Sequence, residues 1–104
     1  MAWVFLILAG LLEIGWAIGL KYSEGFSKPG ISVVTVLTMI ASFLLLAQAL
    51  KTIPVGTGYA VWTGIGAAGT AIVGMAILGE PREVGRIVCV MLILSGVVGL
   101  KVLS

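Results

Sequence analysis

Long apolar stretches alternate with short polar segments along the whole chain. Four of the stretches are long enough to cross a bilayer core of about 30 Å as α-helices, which takes about 20 residues each. They comprise residues 2–20, 31–50, 54–78 and 84–103. The sequence therefore predicts an all-α membrane protein, with residues 1–104 forming a single transmembrane domain of four helices.

The composition strengthens that prediction and excludes several classes of function. Hydrophobic residues make up 61% of the sequence and charged residues only 10%, whereas about 25% of an average soluble domain is charged. Histidine and aspartate are absent and there is one cysteine, so the side chains of common metal sites and catalytic triads are missing. We therefore expect no enzyme, no metal and no cofactor. The net charge of +2 is too small to indicate nucleic-acid binding.

The charges in the connecting segments determine the orientation of the chain only weakly. Four spans place both termini on one side of the membrane and the first and third connections on the other. The first and third connections hold four basic residues: Lys21, Lys28, Arg82 and Arg86. The side of the termini holds Lys51 and Lys101. Because basic residues favour the cytoplasmic side and this difference is small, we predict that the chain inserts in both orientations.

Glu13 is the one charged residue that lies far from the ends of the predicted spans. It is about 12–15 Å from either end of the first span, near the middle of the bilayer. A charge there costs at least about 2.5–3.5 kcal/mol and marks a functional site by default. Because a low dielectric disfavours the ionised carboxyl, we expect Glu13 to bind either a proton or a cation. The alternative is a protonated glutamic acid that only forms a hydrogen bond between helices.

Other side chains share the face or the depth of Glu13. Gly10 and Trp16 lie on its face of the first span, because helical residues three apart are neighbours. In the second span, Ser42 lies at the same depth and could orient the carboxylate, with Met39 as an adaptable apolar wall. The alternative for the hydroxyls of this span is a hydrogen bond to their own helix.

The third span carries an aromatic pair. Tyr59 and Trp62 share one face, which Gly66 and Gly69 continue. This pattern predicts an aromatic platform beside open volume, and ring faces of this kind attract delocalised cations. The alternative is an aromatic belt at the membrane surface.

Small residues indicate where helices approach each other. Gly15 and Gly19 have the GxxxG spacing that permits close helix packing. Gly96 and Gly99 in the fourth span predict an oligomerisation helix. Four helices with one acidic residue can hardly enclose a solvated path, and inverted repeats are a common transporter architecture. We therefore expect an antiparallel homodimer of two oppositely inserted copies.

Two segments of the sequence are specific enough to indicate a family. Residues 13–23 read EIGWAIGLKYS and are followed by Gly25 and Phe26, and residues 54–66 read PVGTGYAVWTGIG. Over its whole length the chain resembles the small multidrug resistance transporters, and within them the guanidinium exporter subtype. It departs from similar exporters at Gly58, where they tend to have alanine.

The resemblance implies a function and a role for each candidate residue. It implies an antiparallel homodimer that exchanges guanidinium and small substituted guanidines for protons. Glu13 would bind substrate or protons, and Trp16 and Ser42 would hold its carboxylate by hydrogen bonds. Tyr59 would close over the site and Trp62 would contact the cation.

Two alternative functions remain open at this point. One is a broad exporter of quaternary ammonium and lipophilic cations, which the bulky Trp16 disfavours because such exporters typically have a small residue there. The other is a non-transporting accessory subunit in which Glu13 is only a packing contact.

Overall fold

A computed structural model describes residues 1–103, which form four helices and no strand. The helices are α1 (Ala2–Tyr22), α2 (Pro29–Ala49), α3 (Val55–Ala76) and α4 (Val84–Leu103). Each is long and apolar enough to cross a membrane. The prediction of an all-α membrane protein with four spans is thus confirmed, and the chain is a multi-pass membrane protein.

The helix ends differ from the predicted spans by one or two residues. α1 extends through Lys21 and Tyr22, because a lysine near the membrane surface can remain helical while its ammonium reaches water. α2 begins at Pro29, since proline suits the first helical turn, where its missing N–H is not needed. Both differences lengthen the ordered helix at the first connection.

α3 is shorter than the predicted span at both ends. Pro54 is the cap before the helix, with an extended ψ of 142°. At the other end, the Arg82 Nε donates a hydrogen bond of 2.7 Å to the carbonyl of Met75. A helix leaves its last carbonyls without helical partners, and this guanidinium satisfies one of them, so the helix ends at Ala76.

α1 lies at the centre of the packing and contacts both α2 and α3, whereas the backbone of α4 approaches α3 alone. The chain measures 40 × 34 × 17 Å. The Cα atoms of two packed helices span about 13–15 Å, because the helix axes lie about 8–10 Å apart and the Cα atoms about 2.3 Å from each axis. One copy is therefore a slab about two helices thick, which leaves little room for a solvated path inside it.

Glycines on two faces of α1 bring the helices together. A methyl group added at Gly19 would collide with the Thr35 hydroxyl on α2, and one at Gly15 would lie 3.5 Å from the Thr38 methyl. On the other side, a methyl at Gly10 would lie 2.8 Å from Cβ of Ile65 on α3. The predicted close packing at the GxxxG spacing is confirmed.

Gly58 is a packing residue of α3. It is buried, and a methyl group there would collide with the Leu50 side chain in the turn before the helix. The glycine that departs from the family pattern thus lets this turn lie close to α3.

Most residues of α4 are exposed in the single chain. Val90 is the one buried residue of this helix, and the Cα atoms of Gly96 and Gly99 face space with nothing within 4 Å of an added methyl. At its end, the Lys101 ammonium lies 4.9 Å from the centroid of the Trp3 ring on α1. The predicted oligomerisation role of α4 remains a prediction, and this open face is compatible with it.

Candidate functional site

The Glu13 carboxyl lies directly against α3, where Gly66 makes room for it. A methyl group at Gly66 would collide with the carboxyl and would lie 2.7 Å from Cγ of Glu13. One turn further along, the Ile14 side chain fills the space over Gly69 in the same way. Side chains of α1 thus occupy the space directly over both glycines, and the open volume on this face lies beside Gly66, in the cavity described below.

The carboxyl of Glu13 has a buried oxygen without a hydrogen-bond partner. Its Oε2 is buried and unpaired among the described residues, and so is Nε1 of the neighbouring Trp16. An unpaired buried polar atom costs about 1–3 kcal/mol. The site is therefore poised to accept a hydrogen bond from a group that the chain itself does not supply.

Ser42 does not bond to Glu13 but joins three helices. Its hydroxyl donates 2.7 Å to the carbonyl of Ala9 on α1 and accepts 3.0 Å from Nε1 of Trp62 on α3. The hydrogen bonds expected from Ser42 and Trp16 to the Glu13 carboxylate are absent from residues 1–103. The reason at Ser42 is that its single O–H is already donated to Ala9.

The hydroxyls of Thr35 and Thr38 on α2 bond to their own helix, which was the alternative predicted for the hydroxyls of this span. Thr35 donates 2.8 Å to the carbonyl of Ile31, and Thr38 donates 2.7 Å to that of Val34, both within α2. Of these three hydroxyls on α2, the one of Ser42 bonds to other helices.

An aromatic row connects the predicted site residues. The ring centroids of Trp16 and Phe43 are 6.1 Å apart, those of Phe43 and Trp62 5.6 Å, and those of Tyr59 and Trp62 5.6 Å. Tyr59 is 56% exposed, whereas Trp62 is buried. The predicted pair of Tyr59 and Trp62 is thus brought together, and Phe43, which the sequence reasoning missed, links it to Trp16.

A cavity of about 370 Å³ lies between α1 and α3, and Glu13 forms part of its wall. Its walls are formed by nine residues: Glu13, Trp16, Ala17, Thr63, Gly66, Ala67, Thr70, Ala71 and Glu80. Four buried side-chain atoms of the described residues lack a hydrogen-bond partner, and all belong to this wall: Glu13 Oε2, Trp16 Nε1, Thr63 Oγ1 and Thr70 Oγ1. The buried polar atoms without a hydrogen-bond partner are thus concentrated, among the described residues, in the wall of this cavity.

Sequence reasoning missed Thr63, Thr70 and Glu80, although a signal existed for the two threonines. They are seven apart and so share a helical face with Gly66. Two predicted cavity residues lie elsewhere, since Gly10 is buried against Ile65 and Met39 is half-buried on α2. Their role in lining a substrate cavity stays a prediction.

Comparison with known proteins identifies one family of transporters, through a family model and through individual relatives. The family model described as "Small Multidrug Resistance protein" matches residues 1–93. A guanidinium exporter of Yersinia pseudotuberculosis serotype I (strain IP32953) is 58% identical over 104 residues, covering 100% of both chains. Guanidinium exporters of Escherichia coli (strain K12) and Salmonella typhimurium (strain LT2) are 55% and 52% identical over 101 residues, covering 97% of this chain and 96% of theirs.

Proposed function

This chain belongs to the Small Multidrug Resistance protein family, and from that premise we propose that it exports guanidinium, and small substituted guanidines, across the inner membrane in exchange for protons. The observation that carries the proposal is the mid-membrane carboxyl of Glu13, which has a buried oxygen and no partner. The names of the relatives support guanidinium as the cation.

Guanidinium fits the chemistry of an unpaired carboxylate. It is planar and presents N–H donors in a fork, so it pairs with a carboxylate through two parallel hydrogen bonds. A quaternary ammonium ion has no N–H and could offer Glu13 only its charge. The buried and unpaired Oε2 of Glu13 therefore favours the cation that can donate.

The aromatic row supplies the second half of the proposed binding site. Trp62 and Tyr59 would present their rings to the cation, whose attraction to ring faces is worth about 0.5–2 kcal/mol. Ser42 would act through Trp62, since its hydroxyl fixes the indole N–H at 3.0 Å. Trp16, with Nε1 free, would donate to the carboxylate of Glu13 when that group is ionised.

We expect the working unit to be an antiparallel homodimer. A slab 17 Å thick does not enclose a path, whereas two copies with opposite orientation would form the inverted pair that transporters commonly use. Two Glu13 carboxyls would then face one substrate cavity, with Gly10 and Met39 in its walls. Because the two acids would interact, their protons belong to the pair and not to either residue.

Exchange follows from competition for one charge. An ionised Glu13 binds the cation, and protons arriving from the outside displace it. Because the proton and the cation need the same oxygens, they exclude each other. The two ligands are therefore loaded from opposite sides of the membrane, the cation from the inside and the proton from the outside. Raising the pH should consequently strengthen guanidinium binding.

The test is transport in liposomes that contain the purified protein. A pH gradient should drive guanidinium exchange by the parent chain, and Glu13→Gln should abolish it. Glu24→Gln is the matched control, because Glu24 is an exposed loop residue paired with Lys28 at 3.5 Å, and it should transport normally. Transport of quaternary ammonium ions without guanidinium would replace the substrate, and transport of neither would favour the accessory-subunit alternative.

A further inference from the structure

Glu80 is held against the end of α3 by the local backbone. Gly79 has a left-handed φ of +74°, and the Glu80 N–H donates 3.1 Å to the carbonyl of Gly74, so the chain turns back onto the end of α3. Gly74 has no side chain to prevent the approach, since a methyl there would lie 2.7 Å from Cδ of Glu80. The carboxylate is thus laid over the end of the helix, where Glu80 remains exposed.

Within residues 1–103, the Glu80 carboxylate forms no ion pair. The nearby Arg82 uses Nε and Nη2 on the carbonyls of Met75 and Ala76, at 2.7 and 3.5 Å. Within residues 1–103, the one ion pair joins Lys28 to Glu24. Moreover, Glu80 lies at the C-terminal end of a helix, where the helix dipole favours cations. A negative charge in that position is placed to attract a cation, and no basic side chain of residues 1–103 forms an ion pair with it.

Glu80 and Glu13 line the same cavity between α1 and α3. Glu13 lies on Gly66 and Glu80 lies on Gly74, so the two contacts are about 12 Å apart along the helix at 1.5 Å per residue. Thr70 is halfway between these glycines, and its buried hydroxyl has no partner.

The unpaired atoms of the cavity are an independent indication of a polar ligand. Thr63 and Trp16, like Thr70, each have a buried donor without an acceptor in the described residues. Buried polar groups are normally hydrogen-bonded to protein or ordered water. A wall that holds two carboxylates together with the unpaired buried donors of the described residues is therefore suited to a hydrated or hydrogen-bonding cation.

We propose that Glu80 is a second cation-binding residue, which holds a guanidinium-type cation at the mouth of this cavity on its way to or from Glu13. The inference rests on the proposed function. The cation would pair with the Glu80 carboxylate, pass the Thr70 hydroxyl and reach Glu13, where it competes with protons. Glu80 would raise the local concentration of the cation and would take no part in proton exchange.

The experiment compares Glu80→Gln with Glu83→Gln in liposomes, under a fixed pH gradient. Glu83 is the matched control because it lies in the same connection but not in the wall of the Glu13 cavity. We expect Glu80→Gln to raise KM for guanidinium about twofold to fivefold, the range for one partly exposed charge pair, with kcat unchanged. Because exposed charges are screened by salt, kcat/KM of the parent should fall as ionic strength rises, and Glu80→Gln should lose most of that dependence.

Three outcomes would overturn the inference while leaving the proposed function intact. They are a parental KM in Glu80→Gln, an equal rise in KM in both variants, which would indicate general surface charge, and an unchanged salt dependence. Failure of the parent chain to transport would instead overturn the proposed function itself. Should Glu80→Gln not accumulate in membranes, Glu80→Asp decides in its place: withdrawing the carboxylate by one methylene should raise KM and retain the salt dependence, and an unchanged KM would refute the role.

Discussion

At the scale of single residues, Glu13 and Gly66 form one functional unit. The carboxyl of Glu13 occupies the volume that a side chain at position 66 would need. Its depth in the membrane comes from its place in α1, but its lateral position is set by the missing Cβ on α3. Any larger residue at 66 would have to move the acid or separate the helices.

Gly66→Ala should therefore impair transport without preventing insertion. Forcing a methyl into this contact costs about 1–3 kcal/mol, and we expect guanidinium exchange to fall about tenfold or more because the carboxyl is displaced. The control is Gly56→Ala, also in α3, where an added methyl meets nothing within 4 Å. Equal transport by the two variants would show that the contact with Gly66 does not position the acid.

The sequence identified Glu13 by its depth alone, because one charge in the middle of an apolar stretch needs no knowledge of its neighbours. It could not identify Phe43 or Glu80 in the same way. An apolar ring in an apolar span carries no signal, and a glutamate beside a predicted helix end resembles any solvated loop charge. Both gain meaning only from the three-dimensional contacts with Trp62 and Gly74.

At the scale of the helices, the Ser42 hydroxyl connects α1, α2 and α3. It bonds to the Ala9 carbonyl on one side and to the Trp62 indole on the other. Replacing it would leave a buried N–H without an acceptor, in a chain where lipid offers no substitute. This residue therefore supports both the bundle and the aromatic row.

Ser42→Ala should lower both stability and affinity. Loss of the acceptor for Trp62 is expected to cost about 1–3 kcal/mol, which a lower midpoint of thermal unfolding in detergent would reveal, together with weaker guanidinium binding. Ser95→Ala is the matched control, since the Ser95 hydroxyl is exposed and bonds only to Met91 in its own helix at 2.8 Å. If the two variants unfolded at the same temperature, Ser42 would not be the connection described.

The helices themselves were predictable because lipid imposes a simple rule, that each span must be long, apolar and internally hydrogen-bonded. Their ends differ from the prediction by up to two residues, as where Pro29 begins α2 and where Arg82 caps a carbonyl at the end of α3. Contacts between helices were harder to predict from the sequence. The bond from Ser42 to Ala9 joins residues 33 positions apart, and which faces meet depends on the rotation of each helix, which apolar patterning hardly fixes when lipid and core are equally apolar.

At the scale of the whole molecule, the thin slab and the unpartnered α4 both indicate a larger assembly. A dimer that pairs through α4 would bury the small residues that now have open space beside them. The rest of the chain would then be free to arrange α1, α2 and α3 of each copy around the substrate.

Gly96→Leu should weaken that dimer. The new side chain would occupy the open face of α4, where helices are expected to approach closely, and the purified protein in detergent should shift towards the monomer in cross-linking and size-exclusion measurements. Gly30→Leu is the control, because Gly30 is also helical and also has nothing within 4 Å of an added methyl. A dimer unaffected by Gly96→Leu would place the interface elsewhere.

Dual insertion can be tested on the intact chain. A reporter fused to the C-terminus should give signals from both sides of the membrane, because four basic residues against two give only a weak bias in orientation. Replacing Lys51 and Lys101 by alanine removes the basic side chains on the side of the termini and should shift the signal to one side. A parent chain that reports from one side only would exclude the antiparallel homodimer.

The aromatic row also makes the protein its own optical probe. Two of the three tryptophans, Trp16 and Trp62, lie in this row, and Trp3 lies under Lys101 at the far end of α1. A cation that settles against the row must alter the intrinsic fluorescence of the two indoles, whereas Trp3 contributes a constant background that Trp3→Phe would remove. In liposomes that contain only the purified protein, occupancy could then be followed by ultraviolet emission alone, with no label attached to a substrate too small to carry one.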